Sequence, residues 1–208
     1  MNIDEYTLSI SDNEDEILKN LRIETYQKTL MPRMISGHLQ GILLKFISHM
    51  IKPNYILEIG TFTGYSTLCL CEGLTPDGKI ITIEKNDELQ FISQKYFKLS
   101  EKYKKIQQVF DDAKKIIPKL EYEFDLVFID GDKREYPEYF DLIFPKVKKN
   151  GFILIDNIFW YNKVLEKPLP DDKYTQGVIK LTKKIKENLD IEKVALPIRD
   201  GLLLVRKK

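Results

Sequence analysis

Leu57-Glu58-Ile59-Gly60-Thr61-Phe62-Thr63-Gly64-Tyr65-Ser66 is the stretch whose reading decides the fold. Ahead of it, Asn54-Tyr55-Ile56-Leu57 is short, apolar and β-compatible; behind it, Thr67-Leu68-Cys69-Leu70 reads as helix. The glycines therefore sit in a strand-to-helix turn. Such a turn aims backbone N–H groups and the positive end of a helix at one point in space. Gly60 and Gly64 leave room for a ligand close to the backbone. The bland alternative is that the glycines only make the turn.

The spacing narrows the ligand. A dinucleotide fingerprint is G-x-G-x-x-G, with the pyrophosphate over the helix N-terminus. Here the pattern is E-x-G-x-x-x-G, with an acid two residues before the first glycine. An acid there repels a pyrophosphate and suits a cation. S-adenosylmethionine carries a sulfonium, an ammonium and a carboxylate, and no phosphate.

The chain has 208 residues, enough for one large domain with a well-buried core. The organisation expected is a single domain over 1–208, with an N-terminal helical extension over 1–52 and an α/β body over 53–208. Against 32 Asp and Glu stand 33 Lys and Arg, a balance that calls for neither nucleic acid nor an acidic membrane. The apolar runs are too short to span a bilayer. The N-terminal stretch is acidic where a signal peptide is basic and then apolar, so a cytoplasmic protein is expected. Cys69 and Cys71, two apart on a helix, cannot bridge each other, and core packing is their default. With only His38 and His49 there is no His/Cys spacing for zinc.

Helices are expected over 12–30 and 36–51, closed by Pro32 and Pro53, with the 34–41 link placed to lie over a ligand. From Asn54 the chain alternates. Strands are expected over 54–59, 79–84, 105–110, 124–129 and 151–155; helices over 64–74, 87–99, from Asp111 or Asp112 to about 118, over 136–147 and over 175–189. Two last strands, 191–198 and 202–206, meet at Arg199-Asp200-Gly201, a hairpin signal. Apolar strands alternating with helices mean a doubly wound α/β sheet, mostly parallel, with one antiparallel strand from the terminal hairpin.

In such a sheet ligands bind at the C-terminal strand ends. Four of those ends carry acids: Glu58, Glu84, Asp130, and Asp156 followed by Asn157. Any one of them is most often a loop cap; four at one edge are harder to dismiss. Glu84 lies 24 residues beyond Gly60, where an acid binds ribose hydroxyls. That would serve NAD as well as S-adenosylmethionine. Asp130, Asp156 and Asn157 form an oxygen-only donor set, suited to Mg²⁺, Ca²⁺ or Mn²⁺. The alternative is that Asp156-Asn157 caps the next helix. Lys133 follows Asp130 by three residues; beside a bound cation, like-charge repulsion disposes a lysine to take a proton.

These segments together resemble the cation-dependent, S-adenosylmethionine-dependent O-methyltransferases of the catechol and caffeoyl-CoA type, from Met34 to Lys207. LEIGTFTGYS resembles the family's cofactor loop, IDGDKREY its metal-and-base segment, LIDN its second metal segment and RDGLLLVRK its last hairpin. The resemblance implies a Rossmann-like fold. It places Met34, Glu58, Gly60, Ser66, Glu84, Asp112, Ala113 and Asp130 at cofactor-contacting positions, with Glu84 on the ribose and Asp112-Ala113 by the adenine. It implies Asp130, Asp156 and Asn157 as metal ligands, Lys133 as general base, and Trp160 and Tyr161 in the loop lining the acceptor. Many bacterial members have a Phe-Asn pair in the following helix; here Leu181-Thr182 stands there.

The activity expected is methyl transfer to one hydroxyl of a vicinal aromatic diol, by a homodimer. Two alternatives are an NAD-linked oxidoreductase on the same sheet and a non-catalytic S-adenosylmethionine-binding module. The missing G-x-G-x-x-G counts against the first and the complete acid set against the second.

Overall fold

The computed structural model describes residues 3–208; Met1 and Asn2, which open the acidic N-terminal stretch, lie outside the described residues. Three helices precede the first strand: α1 (Ile3–Ser9), α2 (Glu16–Lys28) and α3 (His38–Ile51). Helix α1 was not expected; its short polar run carries no clear apolar period. Helix α2 starts four residues later than expected, because Asp15 caps it by accepting from the Ile17 N–H at 2.8 Å. A 3-10 turn, Pro32–Met34, links α2 to α3.

The α/β alternation follows as β1 (Tyr55–Ile59), α4 (Tyr65–Cys71), β2 (Lys79–Glu84), α5 (Gln90–Leu99), β3 (Ile106–Phe110), α6 (Ala113–Ile116), β4 (Phe124–Ile129), α7 (Tyr136–Ile143), β5 (Val147–Asp156), α8 (Lys173–Glu187), β6 (Ile191–Leu196) and β7 (Leu202–Lys207). Helix α7 is shorter than the 136–147 expected. Pro145 cannot donate to a continuing α-helix, and 144–146 tighten into a 3-10 turn. Strand β5 begins four residues earlier than expected. Its polar Lys148-Lys149-Asn150 segment hides it from a hydrophobic pattern, and its pairing with β4 shifts register between Phe124 and Leu126.

The seven strands run in the order β3-β2-β1-β4-β5-β7-β6. All neighbours from β3 to β5 are parallel, and β7 alone runs against them, paired with β5 and β6. Alternation along each strand divides the core in two. Leu57, Ile59, Ile81, Ile83, Val127, Ile129, Ile153 and Ile155 face α6, α7 and α8; Ile56, Ile80, Leu126, Phe128 and Leu154 face α2 to α5. A one-residue slip would exchange the two sets, so burial on both faces fixes the register. The strand order reverses between β1 and β4. That switch point is where a crevice opens at the C-terminal edge.

Candidate active site

The parallel register carries the acids to four neighbouring strand ends, in the spatial order Glu84 (β2), Glu58 (β1), Asp130 (after β4) and Asp156 (β5). Ile129 pairs with Ile155, so Asp130 and Asp156 leave the sheet side by side.

Glu58 lies one residue inside the end of β1 and is fully buried. Its carboxylate accepts from Ser66 Oγ (2.6 Å), Thr67 Oγ1 (2.5 Å) and Thr82 Oγ1 (2.6 Å). Burial pushes this carboxyl up to about 7; the three hydroxyls pull it down, and the charge of Asp130 adds to the rise. Glu58 and Ser66 therefore spend their side-chain bonds on each other, beneath the glycine turn. Glu84 is tied to the turn itself: Oε2 accepts from the Phe62 N–H at 2.8 Å and Oε1 from the Asn86 N–H at 3.0 Å.

On the side where a Cβ would stand, the two glycines meet the protein itself. Gly60 has φ 98°, and a Cβ there would stand 2.4 Å from the Asp130 carbonyl oxygen. A Cβ on Gly64 (φ 92°) would strike the Phe97 ring. The bare faces are filled by the protein: the turn needs glycine to press against the end of β4 and against α5. The N–H groups of Gly60 and Gly64 are bonded to the carbonyls of Ile83 and Thr61.

Lys133 lies in the turn after β4, in a 3-10 segment that Asp132 caps through the Arg134 N–H (3.0 Å). Its Nζ is 2.8 Å from Asp130 Oδ1, and both side chains are mostly buried. Helix α8 presses on this turn at Gly177, where a Cβ would meet the Lys133 carbonyl oxygen at 2.1 Å. Asp156 is 2% exposed. Oδ1 accepts from the Asn157 N–H (2.9 Å) and Oδ2 from Gln40 Nε2 (2.9 Å). Burial, and then the neighbouring Asp130 charge, push this carboxyl up to about 6. Among the described residues no three His, Cys, Asp or Glu side chains form a ready metal cluster; the third expected donor is the amide of Asn157.

Beyond β5 the backbone is strained. Asn157, Trp160, Tyr161 and Asn162 all have φ between 45° and 64°, a region uncommon for non-glycine residues and costly for bulky ones such as Trp and Tyr. The loop is fastened to the β6–β7 turn by Ile158 N–H to Gly201 O, Phe159 N–H to Asp200 O and Tyr161 N–H to Asp200 Oδ1. Trp160 stacks on Tyr174 at 5.8 Å and 15°, and the Arg134 guanidinium lies over the Tyr174 ring at 4.9 Å. Lys133 Nζ lies 5.9 Å from the Trp160 ring centre, whereas Tyr161 is 74% exposed.

The structure thus brings Asp130, Lys133, Asp156, Asn157 and Trp160 together. Asp112 caps α6 through the Lys114 N–H, with Ala113 buried behind it, on the Glu84 side of the edge. Met34 ends the 3-10 turn before α3 and is half exposed. Leu181 is buried, and Thr182 bonds back to the Val178 carbonyl within α8. Sequence reasoning missed Gln40, Arg134, Tyr174 and Arg199. Arg134 and Arg199 stood inside the IDGDKREY and RDGLLLVRK motifs, and Gln40 is an amide in step with the apolar face of α3, where Leu44 and Ile47 are buried.

This is a Rossmann-like, doubly wound α/β protein with acids across the switch point of its sheet. Comparison with known proteins goes further. The sequence model of an O-methyltransferase family matches residues 8–208, and the chain belongs to that family. Caffeoyl-CoA O-methyltransferase of Stellaria longipes is 30% identical over 96% of this chain and 86% of its own length. Mouse catechol O-methyltransferase domain-containing protein 1 is 28% identical, covering 98% of this chain and 79% of that protein. Among solved structures, the O-methyltransferase TomG of Streptomyces achromogenes, in complex with SAM, superposes with a TM-score of 0.92 at 26% identity, covering 99% of this chain and 96% of that one. The SAH-bound Podospora anserina methyltransferase PaMTH1 gives 0.88 at 28% identity, covering 99% and 94%.

Proposed function

We propose that this O-methyltransferase moves a methyl group from S-adenosylmethionine to one hydroxyl of a vicinal aromatic diol. A divalent cation, Mg²⁺ foremost, would be held by Asp130, Asp156 and Asn157. The carrying observation is the pair of side-by-side acids with Lys133 Nζ 2.8 Å from one of them. The caffeoyl-CoA and catechol O-methyltransferase relatives, and the similar structures solved with SAM and SAH, point the same way.

The donor set fits a hard cation. Two adjacent acids, one pushed up to about 6 by burial and its neighbour, gain from a positive charge between them. When bound, the cation would supply Lewis acidity, and S-adenosylmethionine would supply an electrophilic methyl carbon. The chain supplies the rest. Lys133, as the neutral amine left once the proton it shares with Asp130 has gone to solvent, would take the proton of the attacked hydroxyl at Nζ. Trp160, braced by Tyr174, walls the acceptor and keeps the ring plane fixed. Glu84 holds the ribose hydroxyls, Asp112-Ala113 stand by the adenine, and Met34, Gly60 and Asp130 border the donor. Glu58 and Ser66 support the donor turn from below.

We also place the protein in the cytoplasm, where the buried free thiols of Cys69 and Cys71 stay reduced, and read it as one domain that pairs with a second copy. No helix of the described residues is long and apolar enough to cross a membrane. The deciding experiment is a methyl-transfer assay over a panel of catechols, caffeoyl thioesters and their mono-phenol counterparts, with Mg²⁺ and with EDTA. Diol-only, cation-dependent product formation is expected. Equal rates on single phenols would overturn the reading.

A further inference from the structure

We propose that Arg199 and Gln40 are positioning residues for Asp156, so that the β6–β7 turn sets the geometry of the proposed metal site. The inference rests on the reading that Asp156 holds a cation. Gln40, 1% exposed on α3, donates from Nε2 to Asp156 Oδ2 at 2.9 Å across 116 residues of chain. A primary amide can turn about its last bond and exchange its oxygen for its nitrogen. Turned the other way, Gln40 would set an acceptor against a carboxylate. Arg199 prevents that: Nη1 donates to Gln40 Oε1 at 2.9 Å. With the guanidinium holding the oxygen, only the NH₂ can face Asp156.

The same guanidinium fastens the chain ahead of α3. Nη1 also donates to the Ser36 carbonyl, and Nη2 to the Arg33 carbonyl at 3.4 Å. Arg199 itself has φ 51°, a conformation that costs a non-glycine residue free energy and persists where surroundings demand it. Here it lies in the tight β6–β7 turn, closed by the Gly201 N–H on the Ile198 carbonyl, from which the fork reaches Gln40 and two carbonyls at once. Lysine, a point charge with no planar fork, would not reproduce it. Partners that orient metal ligands typically change metal affinity or activity 10- to 100-fold when removed.

The test is Mn²⁺ titration of the full chain, with free Mn²⁺ read by electron paramagnetic resonance. It is run on wild type, Gln40→Met, Arg199→Gly and Asp156→Ala, each with its melting temperature. Gln40→Met keeps the volume and loses the donor. Arg199→Gly removes the fork and suits the positive φ, and its melting temperature separates a positioning effect from loss of fold. Wild type should bind one Mn²⁺ and Asp156→Ala none. Gln40→Met and Arg199→Gly should bind about 10-fold or more weakly with melting temperatures close to wild type. If wild type binds and both variants bind within two-fold of it, the positioning role is wrong and the metal site stands. Weakening in Gln40→Met alone removes Arg199 from the role. If wild type binds no Mn²⁺, the metal reading fails and this inference falls with it.

Discussion

Lys133 and Asp130 stand three residues apart on the turn after β4, and Lys133 Nζ donates to Asp130 Oδ1 at 2.8 Å. The pair leaves the ammonium between an acid and the Trp160 and Tyr136 rings, at 5.9 and 5.5 Å from their centres. A lysine placed there for charge balance alone would be replaceable by any cation. A lysine that takes a proton would not. Lys133→Arg is therefore the informative change: it keeps the charge and cannot act as base. Both Lys133→Arg and Lys133→Met should lower kcat roughly 100- to 10,000-fold. S-adenosylhomocysteine affinity, measured by calorimetry, should move little. Near-wild-type turnover in Lys133→Arg would remove the base assignment.

Asp156→Ala should abolish diol methylation while leaving S-adenosylhomocysteine binding largely intact. Its carboxylate faces Gln40 and the Asn157 backbone, on the β5 side of the edge, away from Glu84. Wild type treated with EDTA should lose activity in the same way and regain it with Mg²⁺. Full-rate methylation of a catechol by Asp156→Ala would reduce this residue to a cap of the loop that follows.

Glu84→Ala should weaken S-adenosylhomocysteine by about 1–3 kcal/mol, through lost charge-assisted hydrogen bonds to ribose. The structure adds a control, because Glu84 also accepts from the Phe62 and Asn86 N–H groups. Glu84→Gln keeps one carbonyl oxygen for the turn. If Gln restores the melting temperature but not the affinity, the ribose contact is separated from support of the loop. Unchanged affinity in both variants would take Glu84 out of the site.

A homodimer should appear as twice the 24.5 kDa chain mass in light scattering at micromolar concentration. Phe46 and Met50, one turn apart on α3, are 52% and 73% exposed, and Ile3 and Ile10 are 75% and 69% exposed. Such apolar side chains on and beside the N-terminal helices favour a covered face. Phe46→Asp with Met50→Asp should shift the mass to one chain; an unshifted dimer would place the interface elsewhere.

The sequence made the sheet legible wherever burial on both faces forces a continuous apolar run. Strands 79–84 and 124–129 could be read to the residue, each bounded by polar or glycine residues. The acids were legible for the same reason, as the first charges after such runs. What could not be read depends on contacts between distant segments. Gln40 meets Asp156 only because α3 packs under the β5 end, and Arg199 reaches Ser36 across 163 residues. The glycine motif marks a strand-to-helix turn, but that the Asp130 carbonyl and Phe97 occupy the space of the missing Cβ atoms could not be read from it.

Glu24 offers a test of the helical extension that is independent of the site. It is 8% exposed on α2. It accepts from Lys28 Nζ (2.6 Å), from Lys95 Nζ (2.5 Å) and from the Tyr96 hydroxyl (2.8 Å), the last two on α5. The Lys28 and Lys95 bonds, against the opposing effect of burial, hold its carboxyl down at about 2, below the ordinary 4.5. A folded-state value below the unfolded one means that the charged form stabilises the fold. The contribution is fully present above about pH 4.5 and is lost as pH falls towards about 2. Both lysines are about half exposed, 50% and 51%, so screening keeps the effect small. Glu24→Gln should therefore cost about 1 kcal/mol at pH 7 by urea unfolding. The gap to wild type should narrow steadily between pH 4.5 and pH 3. In 1 M salt at pH 7 it should also shrink, because the lysines are in contact with solvent. A gap that is the same at pH 7 and pH 3 would mean that Glu24 joins α2 to α5 by packing and neutral hydrogen bonds alone.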